Sequence, residues 1–74
     1  MTITFKPLWK LLIDRDMTRE DLRHQTRLSP ATIAKLGRDG NVTTDVLARI
    51  CTALECDVAD ICVAVALNED GANY

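Results

Sequence analysis

Four times in a chain of 74 residues, an apolar side chain stands directly before a capping residue, and a second apolar side chain follows four places after the cap. The sites are Met17-Thr18 with Leu22, Leu28-Ser29 with Ile33, Val42-Thr43 with Leu47, and Cys56-Asp57 with Ile61. In such a hydrophobic staple the cap accepts an orphan backbone N–H at a helix start, while the two apolar groups clamp the angle at which the chain enters. Four helix starts are therefore set by local chemistry, which leaves little room for anything but helices packed on helices.

The rest of the helical reading follows from periodicity. A first helix over about 6–14 is marked by Pro7 in its first turn and by Leu8, Trp9, Leu11, Leu12 and Ile13 at helical spacing, with Trp9 read as core. A second covers 18–25, a third runs from Pro30 to Leu36 with Gly37 ending it, a fourth covers 44–54, and a short fifth begins after Asp57. Val46, Leu47, Ile50, Cys51 and Leu54 make the apolar stripe of the fourth. Beyond Ile61 the run "CVAVAL" alternates Val63, Val65 and Leu67 with small residues, which reads as a strand, with continuation of the fifth helix as the competing reading. A lone strand leaves an edge unpaired, so pairing with the same strand of a second molecule is expected, and Val63, Val65 and Leu67 are the dimerisation candidates. Residues 1–67 are read as one domain and 68–74 as a flexible polar tail. So small a domain is stabilised only marginally by its own core, which also favours a dimer.

Composition excludes several functions. No apolar run approaches the ~20 residues that cross a bilayer, and the N-terminus has no secretory-signal layout, so a cytoplasmic protein without membrane contact is expected. Three cysteines, Cys51, Cys56 and Cys62, fit neither a paired disulfide framework nor zinc-site spacing and read as structural thiols, with a redox role as the minor alternative. His24 is the single histidine and has no nucleophile at a recognisable spacing, and the early-turn carboxylates Asp21, Asp45 and Asp60 suit helix N-termini. Neither a metal site, nor a cofactor cradle, nor an enzyme is expected. The net charge of −2 hides a polarity: residues 1–44 hold eight Lys and Arg against five acids, whereas 45–74 hold Arg49 against six. Arg15, Arg19, Arg23, Arg27, Lys35 and Arg38 cluster within or beside the second and third helices.

Only Thr26, Arg27 and Leu28 separate those two helices, so the third must cross the second steeply. The segment "MTREDLRHQTRLSPATIAKL" resembles the helix-turn-helix core of the phage-repressor and Cro-like DNA-binding family, and the resemblance continues through "VTTDVLARICTALECDVADI". It implies an all-α, compact five-helix lambda-repressor-like domain that binds double-stranded DNA as a homodimer, with its third helix in the major groove. By that resemblance Pro30, Ala31, Thr32 and Lys35 face base edges, and Leu22, Leu28, Ile33 and Leu36 hold the two helices together. Arg19 matches a family position that reaches a phosphate; Arg38 and Asn41, just beyond the third helix, and Thr43 and Thr44, at the start of the fourth, are further phosphate candidates, with Arg15 and Arg23 weaker ones. The sequence departs from the family at Arg23, where a small residue is usual, and at Arg27, where Gly is usual. The function expected is a dimeric transcriptional repressor. The alternative is a protein-interaction module on the same fold, such as an antitoxin or an accessory regulator that binds another regulatory protein.

Overall fold

The structure is a computed structural model that describes residues 1–66. Its elements are a strand β1 (Thr2–Thr4), four α-helices, α1 (Lys6–Asp14), α2 (Arg19–Thr26), α3 (Pro30–Gly37) and α4 (Thr44–Leu54), a 3₁₀ turn (Val58–Asp60), and a strand β2 (Val63–Val65). All four expected caps act as such. Thr18, Ser29 and Thr43 accept from the backbone N–H of Asp21, Thr32 and Val46, and Asp57 accepts from Val58.

Two expectations are corrected. The fifth helix is a single 3₁₀ turn of three residues, since the capping box of Asp57 and Asp60 closes on itself and the chain then extends. The strand near the C-terminal end is present but not alone, and helix does not continue through it. It pairs antiparallel with β1, in the register Thr2 with Val65, Ile3 with Ala64 and Thr4 with Val63. The domain is therefore mostly helical with a two-stranded sheet that ties its two ends together. Leu67 and the polar stretch read as a tail lie outside the described residues.

The core is aliphatic apart from one ring. Phe5, Leu8, Leu12, Leu22, Leu28, Ile33, Leu36, Ile50, Leu54 and Ile61 are buried, so every element between the strands contributes at least one side chain except the 3₁₀ turn, which Ile61 follows. α2 packs against both α3 and α4, and α1 and α4 both meet the 3₁₀ turn. Ile13, at helical spacing with Trp9, is 73 % exposed. Buried polar groups are few and satisfied: the Thr26 hydroxyl donates to the Leu22 carbonyl one turn back.

Each helix is followed by a non-glycine residue with positive φ, namely Asp16, Arg27, Asp39 and Glu55. After α1, α3 and α4 the chain doubles back so that a backbone N–H reaches a carbonyl five residues earlier, Met17 to Leu12, Gly40 to Lys35 and Cys56 to Cys51. This left-handed closure satisfies carbonyls that the helix end leaves open. Gly37 was expected to end α3 in this way, but it lies within the helix, and Asp39 takes the left-handed position with a φ of 55°.

Candidate nucleic-acid interface

α2 and α3 form a helix-turn-helix whose inner side is dry. Leu22 and Leu36 are fully enclosed, and Leu28 and Ile33 are buried beside them. The turn is closed by Arg27 at φ 60° and ψ 28°, so the departure from Gly leaves the backbone path unchanged and places a side chain on a left-handed residue. Arg23, the other departure, fits because its guanidinium is drawn outward to the Glu20 carboxylate and lies beside the His24 ring.

The outer side of α3 is open. Pro30, Ala31, Ala34 and Lys35 are exposed, and Thr32 is half-buried with its hydroxyl held by that of Ser29 at 3.0 Å. With small groups at three of these places, a flat partner can approach the helix backbone closely. A cleft of about 290 Å³ separates the starts of α2 and α3 and is lined by Arg19, Glu20, Arg23, Pro30 and Ile33.

Apart from Lys6 and Lys10 on α1, the cations divide into two groups. Arg15 donates to the Leu54 carbonyl, Arg23 pairs with Glu20, and Arg49 pairs with Asp45 at 3.0 Å. Arg15 and Arg23, the weaker phosphate candidates, are thus engaged within the chain. In contrast, among the described residues no acceptor holds the side chains of Arg19, Arg27, Lys35 or Arg38. These four lie at the start of α2, in the turn, on α3 and at its end.

Arg19 is nevertheless fixed. Its guanidinium carbon lies 4.1 Å from the centroid of the Trp9 ring, so Trp9, read as core, is half-buried with a cation over its face. The same guanidinium reaches Gly37 at the far end of α3. Arg19 is thereby brought alongside α3. Arg38 is the C-terminal cap of α3, and Asn41 is exposed in the loop that follows. Thr43 uses its hydroxyl oxygen to cap α4, and Thr44 is exposed at the first turn. No hydrogen bond links these two threonines to the other candidates among the described residues.

One positioning residue had no signal in the sequence. Asp39 accepts from the Phe5 backbone N–H at 2.8 Å and from the Thr4 hydroxyl at 3.1 Å. Phe5 is the N-cap of α1 and has no side-chain cap of its own, so Asp39 caps α1 from across the molecule and pins the loop after α3 to the sheet. "Asp-Gly" at 39–40 reads as a turn, but its partners are 34 and 35 residues away.

The described helices include none long and apolar enough to cross a membrane, and no group of side chains there can hold a metal ion. The Cys56 and Cys62 thiols are pushed above their ordinary range, chiefly by burial and further by the neighbouring Cys51. A raised thiol holds less thiolate at neutral pH, which disfavours reactivity.

Residues 7–66 match the family model of the Cro/C1-type HTH DNA-binding domain. No curated protein matches the chain. Among solved structures, the crystal structure of the transcriptional regulator VanUg is 47 % identical in sequence, with 86 % of this chain and 85 % of that one covered and a TM-score of 0.84.

Proposed function

The chain belongs to the Cro/C1-type helix-turn-helix DNA-binding family, and from that premise we propose that it is a sequence-specific transcriptional repressor that binds double-stranded DNA as a homodimer. α3 enters the major groove with Pro30, Ala31, Thr32 and Lys35 toward base edges, and Arg19, Arg38, Asn41, Thr43 and Thr44 meet phosphates. The observation that carries this reading is the exposed, small-residue face of α3 together with Arg19, Arg27, Lys35 and Arg38, whose side chains no acceptor holds among the described residues. Lys35 can donate to guanine O6 or N7, and Ala31 can contact a thymine methyl. Dimerisation through the sheet, with Val63 and Val65 at its surface, supplies the second half-site.

Selection of bound sites from random duplexes tests the whole reading. Lys35→Ala should weaken binding to the selected site and relax preference at one base pair, a loss of about 1–3 kcal/mol. Arg38→Ala should weaken selected and random duplexes alike and make binding less dependent on salt. If neither duplex is retained at low salt, or if both substitutions act equally on both duplexes, this assignment of roles is wrong. A salt-insensitive complex with a protein, without DNA retention, would point to the interaction module instead.

A further inference from the structure

We propose that Trp9 and Gly37 form a brace that pre-sets Arg19 as a clamp for the DNA backbone, Trp9 by carrying the guanidinium on its ring and Gly37 by leaving the space it fills. This inference rests on the reading that Arg19 meets a phosphate.

Three observations carry it. First, Trp9 orients Arg19 without using its donors: a ring holds a guanidinium through its face, so the N–H groups along the edge stay free to bind an anion in a forked geometry. Second, the carboxylates that could capture Arg19 are engaged elsewhere. Glu20, its neighbour, is held by Arg23, and Asp21 accepts from the Thr18 backbone N–H at 2.9 Å. Third, the identity of Gly37 is explained by space and not by conformation. It sits in the last position of α3 without a positive φ, where Ala is the better helix former. A Cβ there would stand 2.7 Å from Arg19 Nη1, a distance that forces the guanidinium to move. The open place at 37 is thus filled by a side chain from α2, and that side chain is the one whose donors remain available.

A fixed arginine with free donors binds an anion better than a mobile one, because less side-chain freedom is lost on contact. The clamp also joins α1, α2 and α3 at one point, so the phosphate contact reports on the position of the recognition helix.

Gly37→Ala, Arg19→Ala and the double variant are compared with the parent chain for thermal unfolding and for affinity to a random-sequence duplex over a range of salt. Gly37→Ala should leave the unfolding midpoint equal or higher. It should lower affinity roughly three- to tenfold, and the slope of log affinity against log salt should fall by about 0.9, as for loss of one phosphate contact. In the Arg19→Ala background, Gly37→Ala should have no further effect on affinity. Trp9 is the single tryptophan, so its emission in the free protein should change in Gly37→Ala as it does in Arg19→Ala. Trp9→Leu, which removes the ring and leaves every donor of Arg19 in place, should also lose affinity, and it tests the Trp9 half of the brace independently of Gly37.

The outcomes separate the two readings. If Arg19→Ala binds as the parent does, the phosphate role of Arg19 fails and the brace with it. If Arg19→Ala weakens binding while Gly37→Ala, or a Trp9→Leu variant that still folds, binds as the parent does, the phosphate role stands and the brace is overturned. Equal losses from Gly37→Ala with and without Arg19 also overturn it.

Discussion

Arg27 and Glu55 hold φ values of 60° and 51° with side chains that gain nothing visible from the left-handed backbone, whereas Asp39 at 55° uses its carboxylate on Thr4 and Phe5. A left-handed L-residue costs about 1–2 kcal/mol, less for Asp, and Gly removes that cost. Arg27→Gly and Glu55→Gly should therefore each stabilise the domain by about 1 kcal/mol, seen as a rise of a few degrees in the unfolding midpoint. Asp39→Gly gains the same relief but loses two hydrogen bonds, among them the one that holds the backbone N–H of Phe5 at the start of α1, so its midpoint should fall. A rise for Asp39→Gly equal to that for Arg27→Gly would show that the tie to the sheet contributes nothing. The same three residues separate fold from function, because only Arg27→Gly also removes a cation beside α3.

At the scale of the elements, the bounds of the four α-helices were legible to within a residue, but the way each end closes was not. A start is written in five or six adjacent residues, cap and staple together, which is why Thr18, Ser29, Thr43 and Asp57 all cap where the sequence places them. An end that turns left-handed on Arg, Asp or Glu has no residue to announce it, and Gly37, which does look like an end, is small for a different reason. β1 is three residues long, too short for alternation to register, and only its pairing with Val63–Val65 makes it a strand. Leu22, Leu28, Ile33 and Leu36, the apolar half that the family resemblance implies, are all buried. Which cations stay free could not be read, because Arg15, Arg23 and Arg19 differ only in what folding brings beside them. The capping box of α2 makes a measurable prediction at this scale. Hydrogen bonds from the Thr18 backbone and then its side chain, with a smaller contribution from His24, lower the Asp21 carboxyl from its ordinary value of 3.8. A lowered folded-state value contributes stability that is present above pH 3.8 and is lost as pH falls through the folded value. Thr18→Ala should destabilise the domain at neutral pH and show less of this acid-side loss, measured as unfolding midpoint against pH. An acid profile parallel to that of the parent would contradict the assignment.

For the whole molecule, the charge polarity and the modest reading capacity of α3 bear on the same point. The excess of positive charge falls in residues 1–44, which contain α2 and α3, so the cations beside α3 favour a polyanion there despite the net charge of −2. Lys35 is the only long polar side chain among the four base-facing candidates, so one copy discriminates by few contacts, and two copies on a symmetric site double both the contacts and the phosphates neutralised. The surface we propose to join copies is the β2 side of the sheet, where Val63 is 48 % exposed and where the edge of β2 not used by β1 faces no other strand among the described residues; Ile3 lies on the opposite face. β1 already satisfies one edge, so dimerisation is not required to complete the strand, and it should be separable from folding. Val63→Lys, at a half-exposed place, should leave the unfolding midpoint within a few degrees at low concentration, while equilibrium sedimentation shifts from dimer to monomer. It should also weaken binding to a two-fold duplex strongly and to a single half-site little. A variant that remains dimeric, or a parent chain that sediments as a monomer even on a two-fold duplex, would remove the sheet from the interface and leave specificity to α3 and to the deformability of the DNA.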